Sequence, residues 1–203
     1  TPRADTPRPA LALKRVRHVG DPVALVVAET LAQAKDAAEL IEIDYEPLPA
    51  VADTRGATRA GTPRAWDHIP GNLCFDIGAG SDKSAVDAAL ARAAHVSRLE
   101  LVNNRVIANP IEPRAALADF DPASGRSTLY TPSQGPHVIH GQLAEAVLKI
   151  DKDQLRVISG NVGGAFGMKI FLHPEQPLLV WASRRLKRAV RWTADRSESF
   201  VSD

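Results

Sequence analysis

From Leu11 the chain alternates apolar with basic or small positions as far as His18, stops at Gly20-Asp21-Pro22, and resumes as an unbroken apolar run over 23–28. Period-two alternation is the pattern of a half-buried strand and Gly-Asp-Pro is turn chemistry, so the pattern predicts strand, turn, strand. Thr30 stands where a helix N-cap belongs, ahead of a helix over 31–40. Ala34, Ala37, Ala38 and Ile41 recur at helical spacing, and small side chains there permit close approach to a sheet. Alternation returns over 41–46, so the N-terminal region reads as a β-α-β scaffold unit.

Between 47 and about 80 only short apolar patches interrupt Pro, Gly, Ala, Thr and Asp, which predicts a long surface connection and a domain boundary. Ser81 or Asp82 can cap a helix running through His95, and 96–102 alternates as a strand. A hairpin follows: 115–121, the turn Asp121-Pro122-Ala123-Ser124-Gly125, and 127–130. The remaining pattern gives a helix over 138–148, a β-branched strand over 155–158, a helix from Pro174 and Glu175 to Arg185, a strand over 189–193, and the first turn of another helix. The Arg184-Arg185-Leu186-Lys187-Arg188 run closes a helix, where cations suit the C-terminal dipole. The expected class is α+β, with divisions at 1–54, 55–94 and 95–203.

Composition narrows the function classes. The 203 residues are 44% hydrophobic, ordinary for a chain that buries a core. Basic and acidic residues nearly cancel, 25 against 24, so nothing in the overall charge calls for nucleic acid or an anionic membrane. One cysteine, Cys74, excludes an internal disulfide framework and any cysteine-based zinc or iron–sulfur site in this chain, and favours a cytoplasmic setting. No signal peptide or membrane span is legible, and the absent initiator methionine points to a fragment.

The chemistry concentrates at Gly160-Asn161-Val162-Gly163-Gly164-Ala165-Phe166-Gly167-Met168-Lys169, which holds four of thirteen glycines directly after a strand. Glycines allow positive φ and close backbone approach, so such a turn can offer N–H groups to phosphates, anionic cofactors or oxo groups. The spacing fits neither Gly-x-Gly-x-x-Gly nor a P-loop, since Met168 separates Gly167 from Lys169. A purely steric turn and an unrelated α/β anion-binding domain stay open at this point. His137 and His140 share a helical face, but no third ligand is evident, and capping or packing is the reading. Glu112, between prolines, reads as a structural ion-pair partner of Arg114 or Arg105.

Several segments in order resemble the molybdenum hydroxylase large subunit, the family of xanthine dehydrogenase, aldehyde oxidase and aerobic carbon monoxide dehydrogenase. They are 162–169, Thr131-Pro132-Ser133-Gln134, and Asn109-Pro110-Ile111-Glu112-Pro113-Arg114. Arg17 to Ala24, Asp44 to Val51 and Arg191 to Arg196 add to the match, which runs the length of the chain. The resemblance implies the closing part of an α/β-hammerhead domain, then the opening part of a molybdopterin-binding domain. Gly164, Ala165, Phe166 and Gly167 match the Gly-Gly-x-Phe-Gly loop that lies against the molybdenum centre, and Gln134 the glutamine that hydrogen-bonds an apical oxo ligand. It also implies a molybdopterin cofactor in cytosine dinucleotide form, Fe-S and FAD on partner subunits, a large-subunit dimer and a small-molecule substrate. No catalytic residue and no direct metal ligand falls within the chain, because the family's catalytic glutamate lies beyond Asp203, and the isolated fragment is expected to be inactive. Ile170 stands where purine-oxidising members carry a substrate-binding glutamate, which argues against a purine. The following Phe171 to Glu175 is closer to the carbon monoxide dehydrogenase-like and bacterial aldehyde oxidase-like branches. Cys74 is not the family's metal-bridging cysteine, since it precedes the glycine loop. A non-catalytic subunit-interface module is the rival reading.

Overall fold

The computed structural model describes residues 3–80 and 82–202. Of the two predicted caps at the second helix, Ser81 lies outside the described residues. The chain divides into two compact units, one of Thr1–Pro7 with Tyr45–Val106, the other of Arg8–Asp44 with Ile107–Asp203.

The first unit is mostly coil, yet it is tied together. Asn72 adopts φ +56° after Gly71 at +63°, a tight turn that glycine and asparagine tolerate. Its amide donates to Ala57 O at 2.8 Å and Pro63 O at 2.9 Å, and its Oδ1 accepts from Ala65 N at 2.9 Å. The polar connection therefore folds around one side chain, with Ile69 buried beside it. Helix α2 (Lys83–Arg92) starts after Asp82 and stops three residues short of His95. The strand expected over 96–102 is not formed: Leu99, Leu101 and Val102 are more than 70% exposed on unpaired extended backbone.

The second unit carries the sheet. Strands β1 (Ala115–Asp121) and β2 (Arg126–Tyr130) form the expected hairpin, and Asp121 stabilises its turn by accepting from Ala123 N and Ser124 Oγ. β3 (Leu155–Ile158) pairs parallel to β2, and β4 (Val190–Thr193) antiparallel to β1, giving the order β3-β2-β1-β4. The parallel pair needs a crossover, supplied by α3 (Pro136–Gly141) and the wider-wound helical segment Gln142–Leu148. Helix α4 (Glu175–Leu186) packs on β1, β2 and β4, and α5 (Arg196–Ser202) ends the described chain. Ala116, Ala118 and Leu129 of the sheet meet Ile139, Leu143, Leu155, Leu179 and Val180 in one apolar cluster. The small alanines of β1 let α4 come close.

The N-terminal β-α-β expectation is corrected. Helix α1 (Leu31–Glu39) forms, with Thr30 and Gln33 in a reciprocal capping box. The segments 11–18, 23–28 and 41–46 are extended but form no strand; Ala12 N donates to Pro22 O of the turn at 2.8 Å, and no backbone bond links one segment to another among the described residues. Alternation reports an extended segment with two unlike faces; it does not report a neighbour to complete the ladder. Leu13 and Val19 are accordingly at least 80% exposed.

The burial contrast gives a stability test. Leu129→Ala in the buried centre of β2 should cost about 2–5 kcal/mol in urea unfolding. Leu13→Ser should stay within about 0.5 kcal/mol of wild type.

Candidate functional site

Three segments far apart in sequence meet at the end of the sheet. Asn109 to Arg114 runs into β1, Thr131 to Gly135 leaves β2, and Gly160 to Ile170 follows β3. Strand pairing brings their ends together: Thr131 N donates to Ile158 O at 3.0 Å, and Thr131 Oγ1 to Ala115 O at 2.8 Å.

The glycine stretch folds as a compact loop whose backbone needs its glycines unevenly. Gly164 and Gly167 have φ of +100° and +90°, while Phe166, between them, is itself held at +52° and is 77% exposed. A Cβ on Gly163 would sit 2.7 Å from Glu112 Cβ, and one on Gly164 3.1 Å from Pro110 Cβ. A Cβ on Gly160 would meet nothing within 4 Å. The close approach of loop and 109–114 segment is what the inner glycines permit.

Gln134 is placed against this loop. Its Oε1 accepts from Gly167 N at 2.9 Å, and its backbone N donates to Lys169 O at 3.1 Å. Because the Gly167 N–H requires an acceptor, the amide orientation is fixed with Nε2 left as a donor. Met168 N is satisfied by Ala165 O, but the N–H groups of Gly164, Ala165 and Phe166 meet no protein acceptor among the described residues. These are uncharged donors on a loop with positive φ at Gly164, Phe166 and Gly167, a chemistry suited to an oxo or phosphate oxygen.

Beneath the loop lies the one buried lysine of the site, Lys169, 2% exposed. Its Nζ donates to Glu112 O at 2.7 Å and Glu112 Oε2 at 2.9 Å. Glu112 in turn exchanges two bonds with Gly163: Gly163 N to Oε2 at 2.9 Å, and Glu112 N to Gly163 O at 3.1 Å. The expectation that Glu112 pairs with Arg114 or Arg105 is thus corrected. Arg114 instead binds Glu175 Oε1 at 2.7 Å, His173 Nδ1 at 2.8 Å and Ser202 Oγ at 2.6 Å, and lies over Trp192. Sequence proximity misled here, because partners distant in sequence compete for both groups: Glu175, His173 and Ser202 engage the guanidinium, and Lys169 the carboxylate. Arg196 clamps the same segment, reaching Asn109 Oδ1, Pro110 O and Ile111 O at 2.6, 2.8 and 2.6 Å. Neither Lys169 nor Arg196 was singled out for this work by sequence; the nearest signal was their presence inside the matched motifs. His140 Nε2 lies 3.0 Å from both Lys152 O and Leu155 O, as the packing reading expected, and His137 is exposed. No group of three or more potential metal-binding His, Cys, Asp or Glu side chains occurs among the described residues. None of their helices is long and apolar enough to cross a membrane.

The hydrogen bond from Lys169, with that from Gly163 N–H, holds the Glu112 carboxyl below its ordinary value of 4.5 against the opposing effect of burial. A depressed acid stabilises the fold above its unfolded pKa, and that contribution is lost as pH falls through the folded value. An NMR titration of the Glu112 carboxyl should therefore show a midpoint below 4.5. Among the glycines, Gly160→Ala should be tolerated, whereas Gly163→Ala should cost about 1–3 kcal/mol in thermal unfolding, since the clash is with a neighbouring Cβ.

Residues 66–203 match the molybdopterin cofactor-binding domain, and 2–49 the aldehyde oxidase and xanthine dehydrogenase a/b hammerhead domain. The nicotine 6-hydroxylase large subunit of Paenarthrobacter nicotinovorans is 38% identical over 96% of this chain and 23% of its own length. The carbon monoxide dehydrogenase large chain of Hydrogenophaga pseudoflava is 32% identical over 94% and 25%. The structure of quinoline 2-oxidoreductase from Pseudomonas putida 86 superposes with a TM-score of 0.87 at 38% identity, covering 97% of this chain and 25% of that one. The chain spans about a quarter of the length of the curated relatives it matches. With 2–49 and 66–203 matched by the two domain models and the expected mixed α/β sheet inside the second, the chain belongs to the molybdenum hydroxylase family, as part of a large, molybdopterin-binding subunit.

Proposed function

We propose that the whole protein is a molybdopterin-dependent hydroxylase, and that Gln134, Gly164, Ala165, Phe166 and Gly167 form part of its cofactor site. The observation that carries this reading is the fixed Gln134 amide beside a glycine loop in which the Gly164, Ala165 and Phe166 N–H groups have no protein acceptor among the described residues. When bound, the molybdenum–pterin group supplies the redox chemistry for inserting water-derived oxygen into a substrate. The chain's own part is to bind and orient. Gln134 Nε2 donates to an oxo or anionic oxygen without titrating, and the loop N–H groups add oriented dipoles that require no protonation change.

The substrate class we favour is an aromatic N-heterocycle, ahead of an aldehyde or carbon monoxide. Two relatives at 38% identity are named for nicotine and quinoline, and Phe166, Ile170 and Phe171 put exposed apolar surface at the loop where a carboxylate would suit a purine. Electrons would leave through Fe-S and FAD groups, which these 203 residues with their one cysteine do not hold and which we place on partner subunits. A cytosine dinucleotide form of the pterin, a large-subunit dimer, a cytoplasmic location and the division at 1–54, 55–94 and 95–203 belong to the same proposal.

The test is molybdenum and nucleotide content of the full-length gene product, made with its neighbouring subunits in a host that builds the cofactor. Near-stoichiometric molybdenum with a released cytidine nucleotide supports the reading. A well-folded complex without molybdenum would sink it and leave the non-catalytic interface module. Gln134→Ala should lower turnover or cofactor retention roughly 10- to 100-fold. An unrelated anion-binding loop would keep phosphate binding unchanged in the same variant.

A further inference from the structure

A lysine side chain 1% exposed is expensive to keep charged unless its head is fully engaged. Lys169 meets that demand in a particular place. It belongs to none of the apolar cluster formed by β1 to β4 and the helices. Its hydrogen bonds run to the other two segments of the site: Nζ to Glu112, and its carbonyl from Gln134 N at 3.1 Å and Ser133 Oγ at 3.1 Å. One residue thus joins the 109–114 segment, the 131–135 segment and the glycine loop.

We infer that Lys169 and Glu112 are positioning residues, a neutralised ion pair that sets the register of the glycine loop against the Gln134 amide and so fixes where the site's donors stand. The cation pulls the loop's C-terminal end onto Glu112, while the same carboxylate takes Gly163 N–H at the loop's start. Glu112 therefore spans the loop from both ends. Gln134 is held from two sides at once, through its backbone N by Lys169 O and through its Oε1 by Gly167 N. Because the two charges cancel, the loop offers its ligand neutral dipoles rather than a free ammonium. That assignment of purpose rests on the cofactor reading above, but the mechanical claim does not.

The experiment compares wild type, Glu112→Gln, Lys169→Met and the double variant in the full-length protein with its companion subunits. It follows amide hydrogen exchange, melting temperature, molybdenum content and the electron paramagnetic resonance signal of Mo(V). Lys169 is buried while the Glu112 side chain is 37% exposed, so removing the carboxylate strands a buried ammonium, whereas removing both takes that charge away. We expect exchange at Gly163 and Gly167 to rise at least about tenfold in Glu112→Gln with β1 and β2 unchanged, a loss of about 1.4 kcal/mol in local protection. In the double variant the melting temperature should return while loop protection and the wild-type Mo(V) line shape do not. Wild-type exchange at the loop in the single variants would overturn the inference, as would full recovery of exchange and line shape in the double. Should Glu112→Gln fail to fold, Lys169→Arg replaces it: charge is kept, the fit is lost, and the same loop-specific rise is expected. Wild-type protein that folds without molybdenum would remove the cofactor reading alone, and the exchange comparison would still decide whether the pair sets the loop.

Discussion

A charged lysine with no water around it must be answered, and that requirement organises the candidate site. Burying an ammonium costs several kcal/mol, repaid only by close partners of good geometry. Here the repayment comes from Glu112, fifty-seven residues earlier in the chain. The sheet makes this possible: β1 begins just after Glu112, and β3 ends just before the loop, with β2 between them. Packing of Ala116, Ala118 and Leu129 against α3 and α4 is thus what sets the distance the ion pair has to close.

How much of this could be read from sequence varies by element. The hairpin was legible because both signals were local: alternating strands and an Asp-Pro-Ala-Ser-Gly turn whose aspartate bonds its own backbone neighbours. Helix α1 was legible from Thr30, and its capping partner Gln33 sits three residues on. The extended segments at 11–18, 23–28, 41–46 and 96–102 were not strands, since pairing depends on residues distant in sequence that alternation cannot name.

The site shows the same division. Gln134 and the glycine loop were found through motif order, and their mutual hydrogen bond agrees with one neighbourhood. Glu112 was recognised as an ion-pair former, but with the wrong cation, because the choice among Arg105, Arg114 and Lys169 is made by strand order rather than by spacing. Arg196 illustrates the limit most clearly. Its guanidinium fork fits three acceptors of a proline-stiffened segment some eighty-five residues away, a match of planar geometry that no one-dimensional pattern carries.

The strand order β3-β2-β1-β4 leaves β3 and β4 as edges, each with one ladder side unpaired among the described residues. Bare edges invite addition of a strand from another molecule, the route by which soluble sheets become fibrous or amorphous deposits. Each edge here carries a single exposed arginine, Arg156 on β3 and Arg191 on β4. A second copy of this stretch stacked in register against either edge would bring like charges together, an arrangement that disfavours edge-to-edge addition.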